Sequence, residues 1–149
     1  MTTMNNPYPL PEKISPTLLR VISYWESLKR GDNNMPFWDD VNLSVLPDLT
    51  DRLLLIDVFA NSERFRFNFV GKDFMEHNGE SLGRKFADEI ELRGFLKYLR
   101  SQCSATVEAR EPTFYRHDGS PNGTAYSRIL MPMWGDGRIG MLLGSFDPH

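Results

Sequence analysis

Leu53-Leu54-Leu55-Ile56-Asp57-Val58-Phe59, a polar turn Ala60-Asn61-Ser62-Glu63, and Arg64-Phe65-Arg66-Phe67-Asn68-Phe69-Val70-Gly71 together read as a β-hairpin. Aliphatic and aromatic β-formers fill both runs, and four turn-compatible residues separate them. In the second run Phe65, Phe67 and Phe69 alternate with Arg64, Arg66 and Asn68. A period of two predicts all three rings on one face of a sheet, a face that must be covered or must hold a ligand. Gly71 ends the run, and Lys72-Asp73-Phe74-Met75-Glu76-His77 then predicts a short helix stopped by Asn78-Gly79.

Upstream, residues 1–14 carry Pro7, Pro9 and Pro11 and predict an extended, flexible arm. Ser15-Pro16 then marks a helix start: serine caps, and proline at the first helical position forfeits a hydrogen bond that would not be made anyway. Leu18, Val21, Ile22, Trp25 and Leu28 follow at helical spacing. Lys29-Arg30-Gly31 makes a stop, which predicts a helix over 16–30.

Downstream, Asp88 and Glu91 stand at capping-box spacing. Leu92, Phe95, Leu96, Leu99 and Cys103 share one helical face, predicting a second long helix with Gly94 inside it. Thr106–Arg110 reads as the start of a strand that continues through Thr113–His117. Thr124–Met133 and Arg138–Phe146 read as two more strands, separated by turns rich in Gly, Asp, Asn and Pro. Strands at both ends with helices between them predict an α+β domain over 15–149, with about five antiparallel strands and helices on one face.

With 149 residues, 40% of them hydrophobic and 25% charged, the chain has the balance of one ordinary globular domain. A net charge of −3 gives no general pull toward nucleic acid or an anionic membrane. The longest aliphatic run is far too short to span a bilayer, and the N-terminus lacks the basic and apolar regions of a secretory signal. A single cysteine, Cys103, forms no internal disulfide, and a cytoplasmic location is the expectation. There is no phosphate-binding glycine loop and no His-Glu-x-x-His. No histidine pair has zinc-site spacing.

The ordered set Tyr24-Trp25-Glu26-Ser27-Leu28-Lys29, Met35-Pro36, Leu46-Pro47, Leu55-Ile56-Asp57-Val58, Arg66 to Gly71, Asn78-Gly79 with Leu82-Gly83, and Arg128 to Pro132 resembles the PAS superfamily. More narrowly it resembles the single-domain alphaproteobacterial PAS proteins, the PAS_5-type family, over roughly residues 17–146. The resemblance implies a cytoplasmic, non-enzymatic sensor or interaction module of bacterial signalling. It implies a homodimer formed through the N-terminal helix, and output through a partner protein such as a kinase or regulator. It also implies a small ligand held between sheet and helices.

On that reading Phe65, Phe67, Phe69, Phe74, Met75, His77 and Leu96 are pocket candidates, and Leu18, Ile22, Trp25 and Leu28 are dimer-interface candidates. The plainer alternative makes the rings core and packs the first helix on its own sheet. No cofactor is assigned. His77 alone is thin support for haem, and the cysteine motif of flavin-binding relatives is missing at Lys72–Met75. Asp57 interrupts an apolar strand. It is either a buried general base of a small cone-shaped enzyme, or the acceptor of a hydrogen bond from Arg64 or Arg66 on the adjacent strand. A third reading is an interaction module with a filled core and no ligand.

Overall fold

The computed structural model describes residues 8–60, 62–75, 82–119, 123 and 125–148. Helix α1 (Pro16–Ser27) begins as the sequence predicts, with Ser15 Oγ accepting from the Leu18 amide at 3.4 Å. It ends three residues earlier than expected, with Leu28 as its C-cap. Single helical turns at Trp38–Asp40, Leu43–Val45 and Thr50–Arg52 lead into β1 (Leu53–Phe59) and β2 (Arg64–Val70). A one-turn helix α2 (Lys72–Met75) and two isolated turns at Ala87–Glu89 and Gly94–Leu96 precede α3 (Leu99–Ala109). The chain closes with β3 (Thr113–His117), β4 (Tyr126–Gly135) and β5 (Arg138–Pro148).

The five strands form one antiparallel sheet in the order β2-β1-β5-β4-β3. The first strand therefore lies beside the last, and both hairpins flank that central pair. Each outer strand has its free edge partly occupied. The Phe114 amide of β3 donates to the Tyr8 carbonyl at 3.0 Å, and β2 exchanges hydrogen bonds with Arg84 and Lys85 through Phe67. Such edge cover blocks pairing with other chains.

Helices lie on both faces, which corrects the one-face expectation. Tyr126, Arg128 and Leu130 of β4 share a face with Leu142, Gly144 and Phe146 of β5 and with Leu54 and Ile56 of β1. The segment from α2 to α3 covers this face: Phe74 and Phe95 meet Phe146, and Gln102 reaches Thr113 and Arg128. The opposite face carries Ile129, Met131, Leu143 and Leu55, all buried, and α1 packs against β4 and β5 to cover it. Two covered faces explain why β1, β4 and β5 read as nearly continuous apolar runs rather than alternating ones.

Three further expectations are revised. The predicted long helix from Asp88 is broken into turns, and its regular part starts only at Leu99. Gly94 and Tyr98 adopt left-handed conformations, φ +57° and +59°, and neither continues an α-helix. The predicted cap residue Asp88 instead takes two hydrogen bonds from Arg64, at 3.1 and 3.2 Å, while Glu89 caps the Phe86 amide at 3.2 Å. Residues 106–109, expected as strand, complete α3, which stops at left-handed Arg110. The helix predicted over 72–77 is seen as Lys72–Met75; its last residues lie outside the described ones.

Gly71 makes the handover from β2 to α2 possible. Its amide donates to the Leu53 carbonyl at 2.8 Å, and a Cβ at this position would collide with the Asp51 and Thr50 backbone.

Candidate functional site

The three phenylalanines of β2 do not share a face. Val58 pairs with Phe65 and Ile56 with Phe67, but Leu55 pairs with Phe69, because the register shifts between Leu55 and Ile56. The odd residue is Asn68 on β2, a bulge that moves Phe69 out of phase with the other two rings. Phe65 and Phe67 are buried on the α2–α3 side, and Phe69 is only half-buried. Phe74 and Leu96 are fully buried and Met75 is half-buried. Phe65, Phe67, Phe74 and Leu96 thus belong to one apolar core, and His77 lies outside the described residues.

An aromatic cluster that periodicity did not single out occupies the middle of the same face. Phe95 stacks on Phe146 with ring centroids 4.1 Å apart, and meets Tyr126 edge-on at 5.1 Å; Phe74 meets Phe146 edge-on at 4.7 Å. The Tyr126 hydroxyl donates to the Gly94 carbonyl at 3.2 Å, and burial pushes its pKa up to about 12. Tyr115 of β3 extends the cluster toward the surface, 6.0 Å from Tyr126 and 6.1 Å from exposed Tyr98.

Beneath Tyr115 lies Arg128, fully buried on β4. Its Nε donates to Gln102 Oε1 at 2.8 Å and its Nη1 to the Phe95 carbonyl at 2.8 Å. Gln102 in turn donates to Thr113 Oγ1 at 3.1 Å, and Thr113 shares a 2.6 Å hydrogen bond with Thr106. The four residues form a buried polar chain linking α3 to β3 and β4. Desolvation lowers the pKa of the guanidinium, and burial drives the nearby Cys103 thiol up to about 12. The sequence carried a signal for this group: Arg128 is the one charge in the apolar run Tyr126–Met133. Its partners could not be read, because Phe95, Gln102 and Tyr115 come from three other segments.

Asp57 follows the plainer of its two readings. Its Oδ2 accepts from Arg66 Nη2 at 3.0 Å and Nε at 3.1 Å, and its Oδ1 from Asn68 at 3.2 Å. The carboxylate sits on the face away from the aromatic cluster, at the edge of a surface cleft that also includes Trp38, Asp136 and Arg138. Among the described residues no tyrosine or second acid hydrogen-bonds to it.

Of the α1 residues, Leu18 and Trp25 are at most 1% exposed within this single chain. They pack into the chain's own core, on the sheet face that α1 covers. Ile22 and Leu28 are half-buried, and their neighbour Leu19 is exposed. Among the described residues no cluster of three or more His, Cys, Asp or Glu side chains is arranged to hold a metal. No helix there is long and apolar enough to cross a membrane. Comparison with protein-family models, with curated proteins and with solved structures finds no match to this chain.

Proposed function

We propose that the chain is a PAS-like sensory module of bacterial signalling that binds a small ligand between its sheet and the α2–α3 segment. One architectural observation carries this reading. Two strands, a run of short helices and three strands close into a single sheet, and among the described residues α2, the Gly94–Leu96 turn and α3 meet the same face of it. That arrangement agrees with the PAS resemblance in the sequence. It also leaves a chain segment of irregular turns, rather than a long rigid helix, over an aromatic face. Pockets for small molecules are apolar with a few polar anchors, and the Phe74–Phe95–Phe146–Tyr126 cluster beside Arg128 has that make-up. The reading is non-enzymatic and cytoplasmic, and involves neither nucleic acid nor membrane.

Ligand binding acts by favouring one packing of this segment against the sheet, and can do so only to the extent that the two packings differ in affinity for it. Output passes to a partner protein such as a kinase or regulator. Self-association as a homodimer uses the outer side of α1, at Leu19, Ile22 and Leu28. A ligand-free interaction module is the second reading, favoured by the close ring contacts at 4.1 and 4.7 Å in the centre of the face.

Native mass spectrometry of the purified chain, with an absorption spectrum of the same sample, separates the two. A dimer carrying added mass is the expected result. A species without added mass, unmoved in thermal stability by any small-molecule panel, overturns ligand sensing and leaves the interaction module.

A further inference from the structure

The Arg128 guanidinium is fully buried, and its Nη2 nitrogen has no hydrogen-bond acceptor among the described residues. Its other two nitrogens meet neutral oxygens, those of Gln102 and Phe95, and the neighbouring Tyr126 hydroxyl, which acts on the guanidinium through a side-chain hydrogen bond, is neutral too. No aspartate or glutamate among the described residues pairs with it. The side chains that act on its charge are Tyr126, Cys103, Tyr115 and Tyr8, none of them a carboxylate. An arginine keeps its proton under all physiological conditions. A buried charge without a counter-ion is among the costliest features a fold can carry, and native structures almost always pair it. Six other, more exposed arginines, Arg20, Arg30, Arg52, Arg64, Arg66 and Arg93, each face a carboxylate.

We propose that Arg128 anchors the carboxylate of a small, otherwise apolar organic acid, a ligand class that supplies the missing charge. This inference rests on the ligand-sensing reading and gives the ligand its chemistry. One N–H of Nη2 donates to a carboxylate oxygen, and a parallel N–H of Nη1, once released from the Phe95 carbonyl, completes the planar fork that arginine favours. One negative charge balances the one positive charge. A phosphate dianion would leave a negative charge unbalanced, because no lysine or second arginine acts on the site. The body of the ligand meets rings: Tyr115 lies 4.9 Å from the guanidinium, and Tyr126, Phe95 and Phe146 continue from there.

Solvent is one ring away, since Tyr115 is half-buried and its neighbour Tyr98 is exposed. The turn that supplies the Phe95 carbonyl is bounded by left-handed Gly94 and Tyr98. Displacing that turn frees Nη1 as well as opening the site. Gln102 holds the guanidinium from α3, so occupancy is communicated directly to the helix that leads into β3.

The test uses the full chain with benzoate, phenylacetate and hexanoate as probes, and with benzamide and chloride as controls. At millimolar concentration at least one of the three acids raises the melting temperature by about 2 °C or more, while benzamide and chloride do not. The shift disappears in Arg128→Met and is partly kept in Arg128→Lys. The Nε–H resonance of Arg128 in the wild-type protein moves with the same acid. That measurement decides the matter even if the Met variant does not fold.

An acid that stabilises Arg128→Met as well as wild type, or an Arg128 resonance unmoved by all three acids, overturns the proposal. Binding of benzamide or another neutral compound alone also overturns it, and leaves ligand sensing intact. If no probe binds and the native mass spectrum shows no added mass, both readings fall together.

Discussion

The indole Nε1 of Trp25 donates a 3.0 Å hydrogen bond to the carbonyl oxygen of Pro132, joining the N-terminal helix to β4 across 107 residues of chain. The last residue of β4 paired with β3 is Leu130, so at Pro132 the outer edge of β4 has no strand beside it. A carbonyl there needs another donor once α1 excludes water. Trp25 supplies it, and the Trp134 amide two residues on is matched by the Pro36 carbonyl at 2.7 Å.

Replacing Trp25 therefore removes both a buried ring and a side-chain donor to that carbonyl. Trp25→Phe keeps most of the apolar contact and leaves the carbonyl unpaired, at a cost of about 1–3 kcal/mol. Trp25→Ala adds a cavity and costs about 3–5 kcal/mol. Urea unfolding of the two variants measures both, and a loss below about 1 kcal/mol for the alanine variant would contradict the placement of α1 on its own sheet.

The Asp57–Arg66 pair sits at the sheet surface, and its side chains are 16% and 33% exposed. Cross-strand pairs of this kind contribute modestly. Asp57→Asn keeps one acceptor oxygen, which serves Arg66 or Asn68 but not both, and is expected to cost about 1 kcal/mol in the same unfolding assay. Binding of any ligand at the aromatic face is unchanged, because the carboxylate lies on the opposite side.

Burial raises the Cys103 thiol from 9.0 to about 12 and the Tyr126 phenol from 10.0 to about 12. Arg128 opposes both shifts, and Glu63 adds to that of Cys103. Both groups hold their protons longer when folded. Their contribution is fully present below about pH 9 and is lost as pH rises toward about 12. Each titrating group adds a slope of about 1.4 kcal/mol per pH unit in that window. Denaturant melts between pH 8 and 11 measure this fall, and Cys103→Ala removes the part that starts near pH 9. The folded protein also resists iodoacetamide at pH 8, whereas unfolded chain is alkylated readily.

Gly71→Ala tests the handover between strand and helix. The added methyl meets backbone atoms of Asp51 and Thr50, which a side-chain rotation cannot move. A loss of about 2 kcal/mol or more is expected in the unfolding midpoint. Gly31→Ala is the contrast. It sits in open space at φ +54°, so only backbone strain of about 1 kcal/mol applies.

Local signals in the sequence determined the hairpin, the start of α1 and the α+β class. Ser15-Pro16 is a cap in any context. The run Leu53–Phe59, its turn and Arg64–Val70 pair because neighbouring strands close with little loop entropy. The Asp57–Arg66 contact was also legible as one of two readings, since facing residues of a hairpin follow from its register.

Only the tertiary structure decided the rest. The bulge at Asn68 divides three evenly spaced phenylalanines, because the register of β2 on β1 shifts between Leu55 and Ile56. Gly94 and Tyr98 break a helix whose apolar spacing was regular, because Phe95 and Leu96 are buried against a sheet formed mostly from later residues. Trp25 is a core residue because β4 and β5, more than a hundred residues away in the chain, place a bare face under it. Arg128 is visible in the sequence as a charge in an apolar strand. Its isolation from any described acid depends on side chains from α3, β3 and the Gly94–Leu96 turn, a long-range environment that no periodicity encodes.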